Sequence, residues 1–139
     1  MSARFRVFFA CVGNSGRSQM AEGFCRALAA DGVECKSGGS RPSGRLQPEA
    51  VQAMAERGID ISKGTSKAID EAFAAACDLI VVMGCGDDAC PAFIGKPIED
   101  WELEDPKGAP IGHVRKVRDD IERRVRRLLA SRGLLRPGA

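Results

Sequence analysis

Five residues separate Cys11 from Arg17 in the segment Cys11-Val12-Gly13-Asn14-Ser15-Gly16-Arg17-Ser18. A glycine-rich turn this short can curl so that successive backbone N–H groups point inward at an anion. Gly13 and Gly16 would supply positive φ where it is needed, and Asn14 tolerates it. A helix opening at Arg17-Ser18 adds the positive end of its dipole, and the Arg17 guanidinium can clamp two oxygens of a tetrahedral oxyanion. Cationic neighbours and helix N-termini favour the thiolate form of a cysteine. With Ser18 placed to hydrogen-bond the sulfur, Cys11 becomes a nucleophile aimed at the central atom of an oxyanion held by residues 12–17, and no histidine is required. Gly-x4-Gly-Lys-Ser/Thr is absent, which excludes a nucleotide-binding loop of that kind.

A second group is Cys85-Gly86-Asp87-Asp88-Ala89-Cys90. Two thiols in one polar, glycine-containing loop can approach disulfide distance if the loop folds back. Zinc is the competing use of such a pair, but a structural site needs four ligands. The chain has one histidine, His113, and no other cysteine pair at suitable spacing. No metal and no cofactor are therefore expected. The carboxylates of 99–105, Asp105 among them, supply candidate proton donors.

The chain has 139 residues, 44% hydrophobic and 29% charged, net charge +2 and six cysteines. That length and balance predict one folded domain over 1–139. No apolar run nears the roughly 20 residues that cross a bilayer. The apolar segment 7–13 runs into a polar motif instead of a small-residue cleavage site, so no export signal is expected. Cytoplasmic thiols follow. Cys25, Cys35 and Cys77 fall within predicted elements and read as small core hydrophobes. The run Arg115, Lys116, Arg118, Arg123, Arg124, Arg126 and Arg127 is interrupted by Asp119, Asp120 and Glu122. It reads as a solvated helix face that can attract anions, not as a nucleic-acid surface.

To position these groups the chain must alternate strands and helices. Apolar patterning predicts strands at 4–10, 32–37, 78–83 and 98–101, and helices at 18–30, 48–57 and 71–76. A last helix carries Val114, Val117, Ile121, Val125, Leu128 and Leu129 on one stripe. The result is an α/β fold, a four-stranded parallel sheet with helices on both faces. Its functional loops should gather beyond the carboxyl ends of the strands, where 11–17, 84–90 and 102–108 can meet.

The Cys-x5-Arg-Ser loop resembles that of the low-molecular-weight protein tyrosine phosphatase superfamily, and the resemblance spans nearly the whole chain. Arg17-Ser18-Gln19-Met20-Ala21-Glu22 looks like its arsenate reductase branch, since the phosphatases usually carry proline where Gln19 stands. Gly16 departs from members that have a second cysteine there. The resemblance implies that Cys11 attacks arsenic, Cys85 attacks the Cys11 sulfur and releases arsenite, and Cys90 resolves that disulfide. A Cys85–Cys90 disulfide then awaits thioredoxin or a similar dithiol reductant. It also implies that the general acid is the aspartate of Asp105-Pro106. The phosphatases follow this pair with aromatic residues that wall a phosphotyrosine ring. Here Lys107-Gly108 follow and the chain contains no tyrosine, so arsenate is expected as substrate, with phosphate or sulfate able to occupy the same site. The alternatives are a phosphatase for phosphotyrosine or small phosphate esters, and a non-catalytic oxyanion or arsenite binder.

Some family reductases bind potassium near this loop at positions matching Asn14, Glu22 and Ser37, but with an acidic residue where Lys67 stands. The expectation is that the Lys67 ammonium replaces the cation and hydrogen-bonds Asn14 and Glu22.

Overall fold

The computed structural model describes residues 4–83 and 97–139. Its centre is Phe5–Cys11 (β1), an apolar strand on which residues 7–10 are fully buried. Arg17–Leu28 (α1) crosses to Val33–Gly39 (β2). Pro48–Ala55 (α2) and the short Glu71–Ala76 (α3) lead to Leu79–Val82 (β3), and Ile98–Asp100 (β4) precedes Ile111–Ala130 (α4). The strand order is β2-β1-β3-β4 with every pairing parallel. The register runs from Phe5 opposite Val33 to Cys11 opposite Gly39, and places Ala10 opposite Val82. The carboxyl ends of β1, β2 and β3 therefore lie side by side.

Alternation along β1 builds both faces of the sheet. Val7, Phe9 and Cys11 point toward α1, α2 and α4 in the larger core cluster. Phe8 and Ala10 meet Phe73 and Ala74 of α3 on the other face. The predicted stripe on α4 is buried at each of its six positions, each such side chain contributing roughly 1.5–3 kcal/mol by transfer from water. Trp101 is core as well, 5.9 Å from the Phe9 ring between centroids, with its indole N–H on Glu99. Pro48 opens α2 from the first-turn position a proline favours. Asp70 caps α3 by accepting from the Phe73 N–H at 3.0 Å. Among the described residues no helix is long and apolar enough to cross a membrane.

Three expectations need correction. Strand β1 runs one residue further than the apolar pattern suggested, so Cys11 ends a strand instead of opening a loop. Strand β2 likewise extends through Gly38 and Gly39, residues that composition had given to a turn. A Cβ at Gly38 would stand 2.7 Å from the Ala68 carbonyl, and one at Gly39 would run into that of Val12. These glycines are there for close backbone approach. Cys25 and Cys35 are core residues as expected, but they are also bonded to each other, a disulfide from α1 to β2 with Cα atoms 6.1 Å apart. Cys77 is buried, with its Sγ donating to the Ala74 carbonyl at 3.0 Å.

The basic run on α4 is mostly compensated by acids. Arg123 and Arg124 hold Asp120, Arg126 holds Glu122 and Arg115 holds Glu56. Arg118 departs from the solvated reading. It is buried, donating to the Ala53 carbonyl at 2.9 Å and to Glu56 at 2.7 Å, and so ties α4 to α2.

Candidate active site

The loop between β1 and α1 is fixed from outside. The carbonyls of residues 11, 12, 13 and 15 accept from the N–H groups of Ser40, Arg41, Ser43 and Gln47 at 2.8–3.1 Å. The Gly13 carbonyl also takes the Ser66 hydroxyl, the Asn14 carbonyl takes the Gln19 amide, and that of Gly16 takes the Met20 N–H. In a planar peptide C=O and N–H point in opposite directions. Anchoring the carbonyls outward therefore turns the intervening N–H groups toward the middle of the loop, which is the requirement for an oxyanion cradle.

Positive φ is supplied differently from the sequence expectation. Asn14 adopts it, at 49°, and neither Gly13 nor Gly16 does. Asn14 is held there by its own side chain, whose Nδ2 donates to Ser18 Oγ at 2.8 Å and Ser37 Oγ at 3.0 Å. Its Oδ1 accepts from Gln19 Nε2 and the Lys67 backbone N–H, both at 3.0 Å. Gln19 also reaches the Thr65 carbonyl at 2.9 Å. A proline at that position has no amide and could make none of these bonds. Gly13 and Gly16 provide space: a Cβ at Gly13 would meet Ser15 Oγ at 3.2 Å, and one at Gly16 would stand 2.7 Å from the Gln47 side chain.

Cys11 lies at the floor of the loop, 2% exposed. Its Sγ is 2.7 Å from Ser18 Oγ and accepts from the Asn14 N–H at 3.2 Å. Arg17 is buried; its Nη1 donates to the Leu103 carbonyl at 3.2 Å, and its Nη2 lies 3.7 Å from Asp105 Oδ2. Asp105 Oδ1 accepts from the Lys107 N–H at 3.1 Å and from Gln47 Nε2 at 3.3 Å. Cys11, the loop 12–16, Arg17, Ser18 and Asp105 are thus assembled in one place from residues up to 94 apart. Cys85 and Cys90 lie outside the described residues.

Behind the loop, Lys67 Nζ sits 3.4 Å from Glu22 Oε1 and 3.2 Å from Ser37 Oγ, and Ser37 donates to the same carboxylate at 2.6 Å. The ammonium therefore lies within reach of both the Glu22 carboxylate and the Ser37 hydroxyl. Lys67 reaches Asn14 through its backbone, however, and not through the ammonium as expected from the sequence.

These features match a known architecture. The profile of the Low molecular weight phosphotyrosine protein phosphatase family matches residues 6–134. The chain belongs to this family. Within the low-molecular-weight phosphatases, its relatives include a glutaredoxin arsenate reductase of Synechocystis sp., 42% identical over 127 residues that cover 90% of this chain and 96% of that protein. A solved structure of an arsenate reductase in the phosphate binding state is 39% identical, with a TM-score of 0.82 over 94% of this chain and 98% of the other. A thioredoxin-dependent arsenate reductase of Corynebacterium glutamicum is 34% identical, with a TM-score of 0.77 over 94% of this chain and 62% of the other.

Proposed function

We propose that the protein reduces arsenate to arsenite, with Cys11 as nucleophile, Arg17 and the amides of 12–17 as the oxyanion site, Ser18 as the sulfur's hydrogen-bond partner and Asp105 as proton donor. The observation that carries this reading is Cys11 Sγ at the floor of a loop whose carbonyls are anchored outward, with Asp105 3.7 Å from Arg17 at its rim. The thiolate forms an S–As bond while the As–O bond to an arsenate hydroxyl breaks, that hydroxyl taking the Asp105 proton and leaving as water. Hydroxide is a poor leaving group, and such an acid contributes roughly 10²–10⁴-fold.

Reduction follows when the Cys85 thiolate attacks Cys11 Sγ. The S–As bond breaks with its electron pair passing to arsenic, As(V) becomes As(III), and arsenite departs from a Cys11–Cys85 disulfide. The Cys90 thiolate then attacks Cys85 and expels Cys11, leaving Cys85–Cys90 for an external dithiol to reduce. Relatives named for both thioredoxin and glutaredoxin support a dithiol protein as reductant.

The surroundings favour a small inorganic substrate over an aryl phosphate. A cleft of about 350 Å³ beside the loop is lined by Ser43, Arg45, Gln47, Lys107 and Gly108 among others, with no aromatic ring among its described residues. The deciding experiment measures arsenite release with a thioredoxin system for wild type, Cys11→Ser, Cys85→Ser and Cys90→Ser. All three variants should lose turnover, and Cys90→Ser should accumulate Cys11 bonded to Cys85 by mass spectrometry. Undiminished reduction by Cys85→Ser would remove the relay from consideration.

A further inference from the structure

Gln47 immediately precedes α2, where a short polar side chain usually caps the helix, yet its side chain makes no capping bond. It lies instead across the rim of the Cys11 loop, 9% exposed. Its backbone N–H holds the Ser15 carbonyl at 2.8 Å, and its Nε2 is 3.4 Å from Ser15 Oγ and 3.3 Å from Asp105 Oδ1. The absence of a side chain at Gly16 leaves the space for it, since a Cβ there would stand 2.7 Å from Oε1 and 2.9 Å from Nε2. Oε1 is buried without a hydrogen-bond partner among the described residues. An amide that forgoes its acceptor bonds in this way is held by its donor end.

We propose that Gln47 is a positioning residue that determines which oxygen of Asp105 carries the transferable proton. Gln47 Nε2 and the Lys107 N–H both donate to Oδ1. An oxygen that receives two donors is an acceptor, and a proton placed on it would face both N–H groups. The proton is therefore directed to Oδ2, the oxygen on the Arg17 side, from which it passes to the departing arsenate oxygen and leaves as part of water. Gly16 and Gln47 form a matched pair: the missing Cβ of one makes room for the amide of the other. The inference rests on Asp105 being the general acid.

The test compares Gln47→Ala and the similarly long but donor-free Gln47→Met, each in wild-type and Asp105→Asn backgrounds. The readouts are kcat/KM for arsenate and the inhibition constant of inorganic phosphate, an oxyanion that binds without needing the acid. Both substitutions should lower kcat/KM roughly 2- to 10-fold, as loss of one hydrogen bond to a neutral carboxyl does, and leave phosphate inhibition within about twofold. In the Asp105→Asn background they should add almost nothing, because the group they position is gone. An equal loss in both backgrounds, or weakened phosphate binding, would show that Gln47 only braces the loop and would overturn the proposal. A large loss with Asp105→Asn and none with Gln47→Ala or Gln47→Met overturns it while leaving the acid in place. Wild-type kcat/KM in Asp105→Asn removes the acid and the proposal together. Gly16→Ala should reproduce the Gln47→Ala loss by displacing the amide, and should cost little more once Gln47 is alanine.

Discussion

Reducing the Cys25–Cys35 bond should destabilise the protein by an amount that its geometry allows to be worked out. The bridge spans a sequence separation of 10 and joins the second half of α1 to the middle of β2. A cross-link of that span removes about 9 cal/mol/K of loop-closure entropy from the unfolded chain, about 2.7 kcal/mol at 25 °C. With an unfolding entropy near 2.1 cal/mol/K per residue over 139 residues, this becomes a fall of roughly 9 °C in Tm. The measurement belongs in a Cys85→Ser/Cys90→Ser background, where relay chemistry cannot obscure the thiol count. Denatured protein should show two reactive thiols when oxidised and four after treatment with a phosphine reductant. Urea unfolding should give a lower midpoint and a steeper slope for the reduced form, because its unfolded ensemble is more expanded. Four thiols with an unchanged midpoint would refute the reasoning, since the cross-link would then be doing nothing to the unfolded chain.

Other outcomes can be stated briefly. Because the Lys67 ammonium lies between Glu22 and Ser37, potassium at constant ionic strength should change neither wild-type activity nor Tm, whereas Lys67→Met should become responsive to it. Ser18→Ala removes the hydroxyl 2.7 Å from the Cys11 sulfur. It should lower kcat/KM roughly 10- to 100-fold while leaving phosphate inhibition nearly intact. Ile121 is fully buried on α4, and Ile121→Ala should cost about 2–5 kcal/mol in urea denaturation. A hydrogen bond from Arg115, with help from Arg118 and against desolvation, holds the Glu56 carboxyl below the usual range. Its stabilisation is fully present above the ordinary glutamate range and is lost as the pH falls through and below that range. Glu56→Gln should flatten that part of the acid-unfolding profile.

The elements that position the site were legible because they follow from periodicity. The stripe on α4 and the apolar runs of β1 and β3 leave few alternatives, and Cys11, Arg17 and Ser18 lie close enough in sequence for their spacing to carry meaning. Gln47 was not legible. It is 32 residues from Ser15 and 58 from Asp105, and only its place before Pro48, where a shorter side chain would cap, sets it apart. Cys25 and Cys35 read as separate hydrophobes because nothing local shows that Cys25 on α1 will face Cys35 on β2. Glycine types were read correctly as marking the loop but for the wrong reason, since sequence cannot distinguish a need for positive φ from a need for space.

The way the Cys11 loop is anchored bears on when activity can arise during folding. Its carbonyls are held by residues near 40, 47 and 66, its asparagine by Ser37 and Lys67, and its arginine by residues 103 and 105. None of these partners is supplied by β1 and α1 alone. Contacts so distant in sequence form late, after the entropy of closing long loops has been overcome. The cradle is therefore expected to appear only with the completed sheet, so that phosphate binding during refolding would report on the whole domain and not on its amino-terminal third.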